Sequence, residues 1–185
     1  MMKSFQVEET NLSGLKIIKR SKISDKRGSL SRLFCFNELS NYGWDIPISQ
    51  INHTHTQKKA TIRGMHFQKK PYREIKLVTC LKGAVMDIAV DIRSESKTFL
   101  KYFSIELNQE NEKSLLIPEG FAHGFQTLTD DVELLYFHSK PYSPEYEDGL
   151  NPLDDKLNIN WPLPQDLISN KDRNREFLKS DYKGI

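Results

Sequence analysis

Five histidines, one lysine and one tyrosine carry the chemistry most legible in this sequence: His53, His55, His66, His123, His138, Lys76 and Tyr136. His66 lies in the run RGMHFQ at 63–68, sharing a strand face with Gln68. Lys76 opens the next apolar run. His123 is set in GFAHGF at 120–125, where glycines permit close backbone approach. Tyr136 and His138 share one face of a later run. Taken singly, each could be a polar group satisfied inside a core. Such groups are costly to bury without partners. Taken together, His66, His123, Lys76 and Tyr136 describe an anion-tolerant pocket equipped for proton transfer.

His53-Thr54-His55 puts two imidazoles on one strand face, a plausible metal edge. No acid follows, however. The next residues are Thr56, Gln57, Lys58 and Lys59, and lysines oppose a cation. His55 reads better as a polar loop-entry residue, and no metal or other cofactor is expected.

The elements that must position these groups are strands. Residues 85–92 (VMDIAVDI) alternate with period two: the even positions are large and apolar, and the odd ones include Asp87 and Asp91. That predicts one dry face and one mixed face. Strands are also predicted over 15–19, 29–36, 46–53, 61–67, 76–81, 102–107, 115–117, 123–128 and 132–139. Lys82-Gly83 reads as a hairpin turn between 76–81 and 85–92, and residues 129–131 as the turn joining another strand pair. So many short strands with polar or Gly/Pro turns point to an all-β sandwich or barrel. Helix signals are few: one turn over 37–42, and a tail with Ser169 as N-cap, Asp172 in the first turn and a charged run to Lys179. Trp161 is expected to pack the tail against the barrel.

Bulk properties bound the rest. The 185 residues suit a single domain spanning 1–185, and 37% apolar with 28% charged residues is a globular composition. A net charge of +2, with basic residues only in pairs such as Lys58-Lys59 and Lys69-Lys70, excludes the concentrated basic surface of a nucleic-acid binder. No run approaches a membrane span or a signal peptide, so a cytoplasmic setting is expected. Cys35 and Cys80 both fall in predicted strands and read as half-buried reduced thiols.

Four runs, RGMHFQ (63–68), KLVTCLKGAVMDIAVDIRSESKTF (76–99), IPEGFAHGFQTL (117–128) and INWP (159–162), occur in the order and spacing of the dTDP-4-dehydrorhamnose 3,5-epimerase family, which this sequence resembles from about Asp25 to Asp172. The resemblance implies a cupin-like double-stranded β-helix (jelly roll) with a short C-terminal helical tail, a homodimer and metal-independent chemistry on a nucleoside-diphosphate 4-keto-deoxysugar. It matches His66 to the catalytic base, Asp172 to the carboxylate orienting it, and Tyr136 to the acid. Lys76 and His123 match residues near the keto oxygen. Arg27, Gln50, Asn52, Arg63, Tyr142, Glu147 and Lys171 match positions lining the nucleotide-sugar site.

The residue types suit that reaction. A C4 ketone acidifies the C3 and C5 hydrogens, because the carbanion delocalises into an enolate. Imidazole is a base of suitable strength near neutral pH. A paired carboxylate holds its tautomer. Lys76 offers charge for the enolate oxygen, Tyr136 a proton for the opposite face, and arginine a bidentate grip on diphosphate.

Two departures from the family pattern stand out. After Asp25-Lys26-Arg27-Gly28, a glutamate is expected in a strand near the nucleobase, and Arg32 occupies that position. Arginine only donates, which suits cytosine N3 and O2 better than thymine N3–H. Arg32 is therefore a candidate substrate-binding residue, and CDP an alternative carrier. The second departure is Pro141, where a tyrosine is common. Because Arg63 and His66 differ in parity, a bulge or a strand end must intervene if both face the pocket.

Overall fold

Residues 4–185 are described by the computed structural model. Their alternating apolar runs form two antiparallel sheets packed face to face. The first has the order β1 (Phe5–Glu9), β2 (Lys16–Arg20), β10 (Lys113–Ile117), β7 (Lys76–Lys82), β12 (Val132–His138), β5 (Gln50–Thr56). The second runs β13 (Glu147–Gly149), β6 (Thr61–Gln68), β11 (Phe121–Thr127), β8 (Ala84–Asp91), β9 (Tyr102–Asn108), with β14 (Leu167–Ile168) added parallel to β6. A separate hairpin of β3 (Lys22–Asp25) and β4 (Gly28–Ser31) projects from this body. Helix is confined to α1 (Phe36–Leu39), a following 3-10 turn (Ser40–Tyr42) and α2 (Asn170–Arg173). Among the described residues, no helix is long and apolar enough to cross a membrane. This is the cupin-like jelly roll expected from the resemblance.

Three apolar layers hold the sandwich. Val78, Cys80, Leu115 and Leu134 of the first sheet meet Val85, Ala89, Leu107, Phe121 and Phe125 of the second. The outer face of the second sheet, with Ile62, Met65, Ile88 and Val90, is covered by Leu150, Leu157 and Trp161. The outer face of the first, with Phe5, Ile18, Leu77 and Phe137, is covered by Leu39 and Trp44. Trp161 packs the tail as expected, its indole N–H donating to the Pro152 carbonyl at 2.9 Å.

This covering on both sides corrects the expectation of one mixed face on β8. Asp87 and Asp91 are fully buried. Asp91 is satisfied locally by Arg93, Ser96 and Thr98.

Two expected hairpins are also corrected. β7 and β8 lie in different sheets, as do β11 and β12. Gly83 and residues 129–131 therefore carry the chain from one sheet to the other. A jelly roll requires such crossings, and local turn chemistry does not distinguish them from hairpins. The strand predicted over 29–36 ends at Ser31, and Cys35 is the N-cap residue of α1. Cys80 is buried, not half-buried, and both thiols are free. The tail helix stops at Arg173, well before Lys179.

Of the two ways to bring Arg63 and His66 onto one face, the strand uses a bulge. Phe125 pairs with Arg63 and His123 with His66, so Gly64 and Met65 together oppose Gly124. Gly64 has φ +131°, and a Cβ there would lie 2.5 Å from Gly124 Cα. Only two glycines permit this approach of the strands. The extra residue shifts the parity, so Arg63 and His66 both line the interior cavity.

Candidate active site

The cavity opens between the sheets as two communicating lobes of about 490 and 280 Å³. Asn52, His66, Lys76, His138 and Lys171 line both. β5, β7 and β12 supply one wall; β6 and β11 supply the facing wall.

His66 is placed by β6 and aimed by the tail. β14 pairs with β6, setting Ile168 beside Ile62, and Ser169 then caps α2 by accepting from the Asp172 N–H at 3.1 Å. The Asp172 carboxylate thereby sits 2.6 Å from His66 Nε2. Burial alone would raise the Asp172 carboxyl. The His66 hydrogen bond and charge, together with Ser169 and the Gly64 N–H, outweigh it and hold the group below the usual aspartate range. An ionised carboxylate only accepts, so Nε2 carries the proton and Nδ1 is left as the basic nitrogen.

Across the cavity, Tyr136 of β12 is buried against His123, ring centroids 6.0 Å apart. Burial, with the charge of Asp87 next, pushes its phenol above the ordinary range, so the hydroxyl stays protonated. His123 Nε2 lies 3.0 Å from each oxygen of the buried Asp87. Lys76 is nearly buried, its ammonium 3.1 Å from Glu74.

Of the residues expected from the sequence, His66, Asp172, Tyr136, Lys76, His123, Asn52, Arg63 and Lys171 line the larger lobe. Gln50, Tyr142 and Glu147 line the smaller. Glu147 is ion-paired to both Lys171 and Arg175.

Arg27 and Arg32 line neither lobe. Arg27 is 84% exposed at the β3–β4 turn, bound to Asp25 at 2.6 Å. Arg32 donates to Ser4 Oγ at 2.8 Å and to Glu38 at 3.0 Å on the surface. Within one chain neither arginine reaches the cavity. His53 and His55 face outward onto Glu133 and Asp131, while Thr54 between them lines the cavity.

Sequence reasoning missed Asp87, Glu74, His138 and Arg175 as partners of the cavity groups. Asp87 carried a signal, being a carboxylate inside an otherwise apolar strand. Glu74 carried a weaker one, two positions before Lys76. Nothing local marks Arg175.

The family model for dTDP-4-dehydrorhamnose 3,5-epimerase matches residues 9–180. A dTDP-4-dehydrorhamnose 3,5-epimerase of Shigella flexneri is 39% identical over 180 residues, covering 95% of this chain and 98% of its own. The crystal structure of the Bacillus anthracis dTDP-4-dehydrorhamnose 3,5-epimerase, with TDP and PPi bound, superposes with a TM-score of 0.90 at 34% identity, covering 94% of this chain and 99% of that one. The Legionella pneumophila dTDP-6-deoxy-D-glucose-3,5-epimerase, in complex with dTDP-4-keto-L-rhamnose, gives 0.89 at 34% identity, covering 94% and 92%. A match over nearly the whole chain, in both sequence and fold, means that the chain belongs to the dTDP-4-dehydrorhamnose 3,5-epimerase family.

Proposed function

We propose that the protein inverts C3 and C5 of a dTDP-linked 4-keto-6-deoxyhexose, turning dTDP-4-dehydro-6-deoxyglucose into dTDP-4-dehydrorhamnose. The observation that carries this reading is the pairing of an oriented base with a protonated phenol on facing sheets of one cavity. His66 Nδ1 removes the proton next to the ketone, and the C–H electron pair passes into the enolate. Lys76 and His123 face the developing oxygen charge, worth most in a site shielded from water. Tyr136 returns a proton to the opposite face of the carbon, which inverts it. Tyr136 regains its proton from solvent, and His66 releases its own there. Arg63 and Lys171 meet the diphosphate, while Gln50, Asn52, Tyr142 and Glu147 meet the sugar-nucleotide in the smaller lobe.

The functional unit is a homodimer. The β3–β4 arm supports this, since its Ile23 and Leu30 are 64% and 72% exposed. Burying them requires another surface, and crossing to a second copy would bring Arg27 to a nucleotide site it does not reach in its own chain. A cytoplasmic setting suits the substrate class and the two free thiols.

Incubation with dTDP-4-keto-6-deoxyglucose in deuterated water, followed by NMR, tests the reading. Deuterium should enter at C3 and C5 and stay out in His66→Ala. A parallel run with the CDP counterpart names the carrier. Entry at one carbon only would make the enzyme a single-centre epimerase. Tight binding without exchange would make it a sugar-nucleotide-binding cupin.

A further inference from the structure

Lys76 does not stand alone on its wall of the cavity. Glu74, two residues earlier, is nearly buried and divides its carboxylate between two partners. Oε1 is ion-paired with the Lys76 ammonium at 3.1 Å, and Oε2 lies 2.7 Å from His138 Nδ1. The other ring nitrogen of His138, Nε2, lies 3.4 Å from Asn52 Nδ2. The contacts continue outward: Gln50 Nε2 donates to Asn52 Oδ1 at 3.0 Å, and the Tyr142 backbone N–H donates to Gln50 Oε1 at 2.9 Å.

The direction of this array is fixed at both ends. A backbone N–H can only donate, so Gln50 presents its oxygen to Tyr142 and its NH₂ to Asn52. Asn52 then presents its NH₂ to His138. At the inner end Glu74, if ionised, can only accept. Burial alone would raise its carboxyl; the Lys76 charge and the His138 hydrogen bond outweigh that and hold it below the usual glutamate range. His138 is therefore required to carry its proton on Nδ1 and accept on Nε2. The array ends on the anion that holds Lys76.

We infer that Glu74 is the positioning residue for Lys76, and that His138, locked as its Nδ1–H tautomer by Asn52, braces the far oxygen of Glu74. This rests on the epimerase reading for its consequence: with one N–H held by Glu74, the ammonium keeps two for the substrate's enolate oxygen. The brace stops Glu74 from turning both oxygens onto Lys76, which would draw the ammonium away from the cavity. It also ties the Tyr142 segment at the cavity mouth to the group at its floor.

Glu74→Gln makes the test sharp. If the amide oxygen stays on Lys76, its NH₂ faces His138 Nδ1. The ring must then become the Nε2–H tautomer, and reversal runs outward until two donors meet at Tyr142. Asn52→Asp acts from the other end: it offers an acceptor to Nε2 and makes both ring nitrogens donors. Side-chain ¹⁵N NMR reads the His138 tautomer, and the slowly exchanging ¹⁵Nζ signal of a held lysine ammonium reads Lys76. Neither requires turnover.

The wild-type protein should show His138 as Nδ1–H and a resolved Lys76 ammonium. Glu74→Gln should switch the tautomer, broaden the lysine signal, and lower kcat for deuterium entry on the order of 10²-fold with KM nearly unchanged. Glu74→Asp should restore the tautomer. Asn52→Asp should give a doubly protonated ring. An Nε2–H tautomer in the wild type overturns the inference, as does a Glu74→Gln protein with tautomer, lysine signal and kcat unaltered. If the wild type exchanges no deuterium, the epimerase reading fails, and the two NMR signals alone decide the array.

Discussion

His66 Nε2 lies 2.6 Å from Asp172 Oδ1, joining a central strand to a helix 106 positions later in the chain. The contact spends one imidazole nitrogen and frees the other. Asp172→Asn keeps the shape and offers an amide that can donate to Nε2, favouring the wrong tautomer. The variant should fold as the parent does and lose roughly 10²- to 10⁴-fold in kcat, as oriented histidines elsewhere do. Exchange rates by NMR, with thermal unfolding as the control for folding, check this.

Tyr136 and His66 are on facing sheets, so losing each should have a different signature. Tyr136→Phe removes the acid and leaves the base. Deuterium should still enter next to the ketone, because His66 can remove and return a proton on its own face. Inversion should fall by at least about 10²-fold. Product stereochemistry measured beside deuterium content separates the two. Equal loss of both would mean that Tyr136 serves binding or enolate formation instead.

Asp172, Glu74 and Asp91 are each held below their ordinary values of 3.8 for Asp and 4.5 for Glu. In each case hydrogen bonds and nearby cations outweigh burial. A carboxyl depressed in the folded state contributes stability that is complete above its unfolded value and lost as pH falls through the folded one. Urea unfolding should therefore give a flat free energy from pH 7 to about 5 and a decline below about 4.5. Asp91→Asn should cost about 2 kcal/mol at pH 7 and make the acid decline shallower. An unchanged slope would remove Asp91 from the linkage.

Gly64→Ala sets a methyl group 2.5 Å from Gly124 Cα at φ +131°. The bulge must open, and His66 moves with it. A loss of about 3 kcal/mol is expected by denaturant titration. Activity should fall further than that fraction of unfolded protein explains.

The β3–β4 arm leaves Ile23 and Leu30 exposed to solvent. Replacing both Ile23 and Leu30 with Asp should leave the monomer fold intact and shift light-scattering mass from dimer to monomer. If Arg27 works across the interface, the same variant raises KM for the nucleotide sugar. A dimer that survives would locate the interface elsewhere.

Much of this architecture could be read from the chain before folding. Alternation in 85–92 marks β8, and the parity of Arg63 and His66 asks for a bulge or a strand end, of which the bulge is present. His66, Lys76, His123 and Tyr136 were legible because proton-moving groups are conspicuous in apolar runs. What stayed hidden depends on distance along the chain. Gly83 has the same local chemistry whether strands turn back or cross to another sheet. Asp87 looked like one side of a mixed face because the cover on the other side comes from residues beyond 150. Glu74 and His138 are ordinary polar residues until the sheet register, which pairs His138 with Lys76, makes them neighbours. Arg27 and Arg32 illustrate the converse: their motif is evident, yet a single chain gives them no cavity to serve.

The stretch beyond residue 150 has two tasks, and it meets them in order along the chain. It seals the outside of the second sheet through Leu157 and Trp161, and it then delivers Asp172 to His66. A chain that has passed Trp161 but not Asp172 already owns its long strands and this cover, but has no carboxylate to aim the imidazole. A chain clipped between these points should therefore keep its second sheet covered and lose the aim of its base.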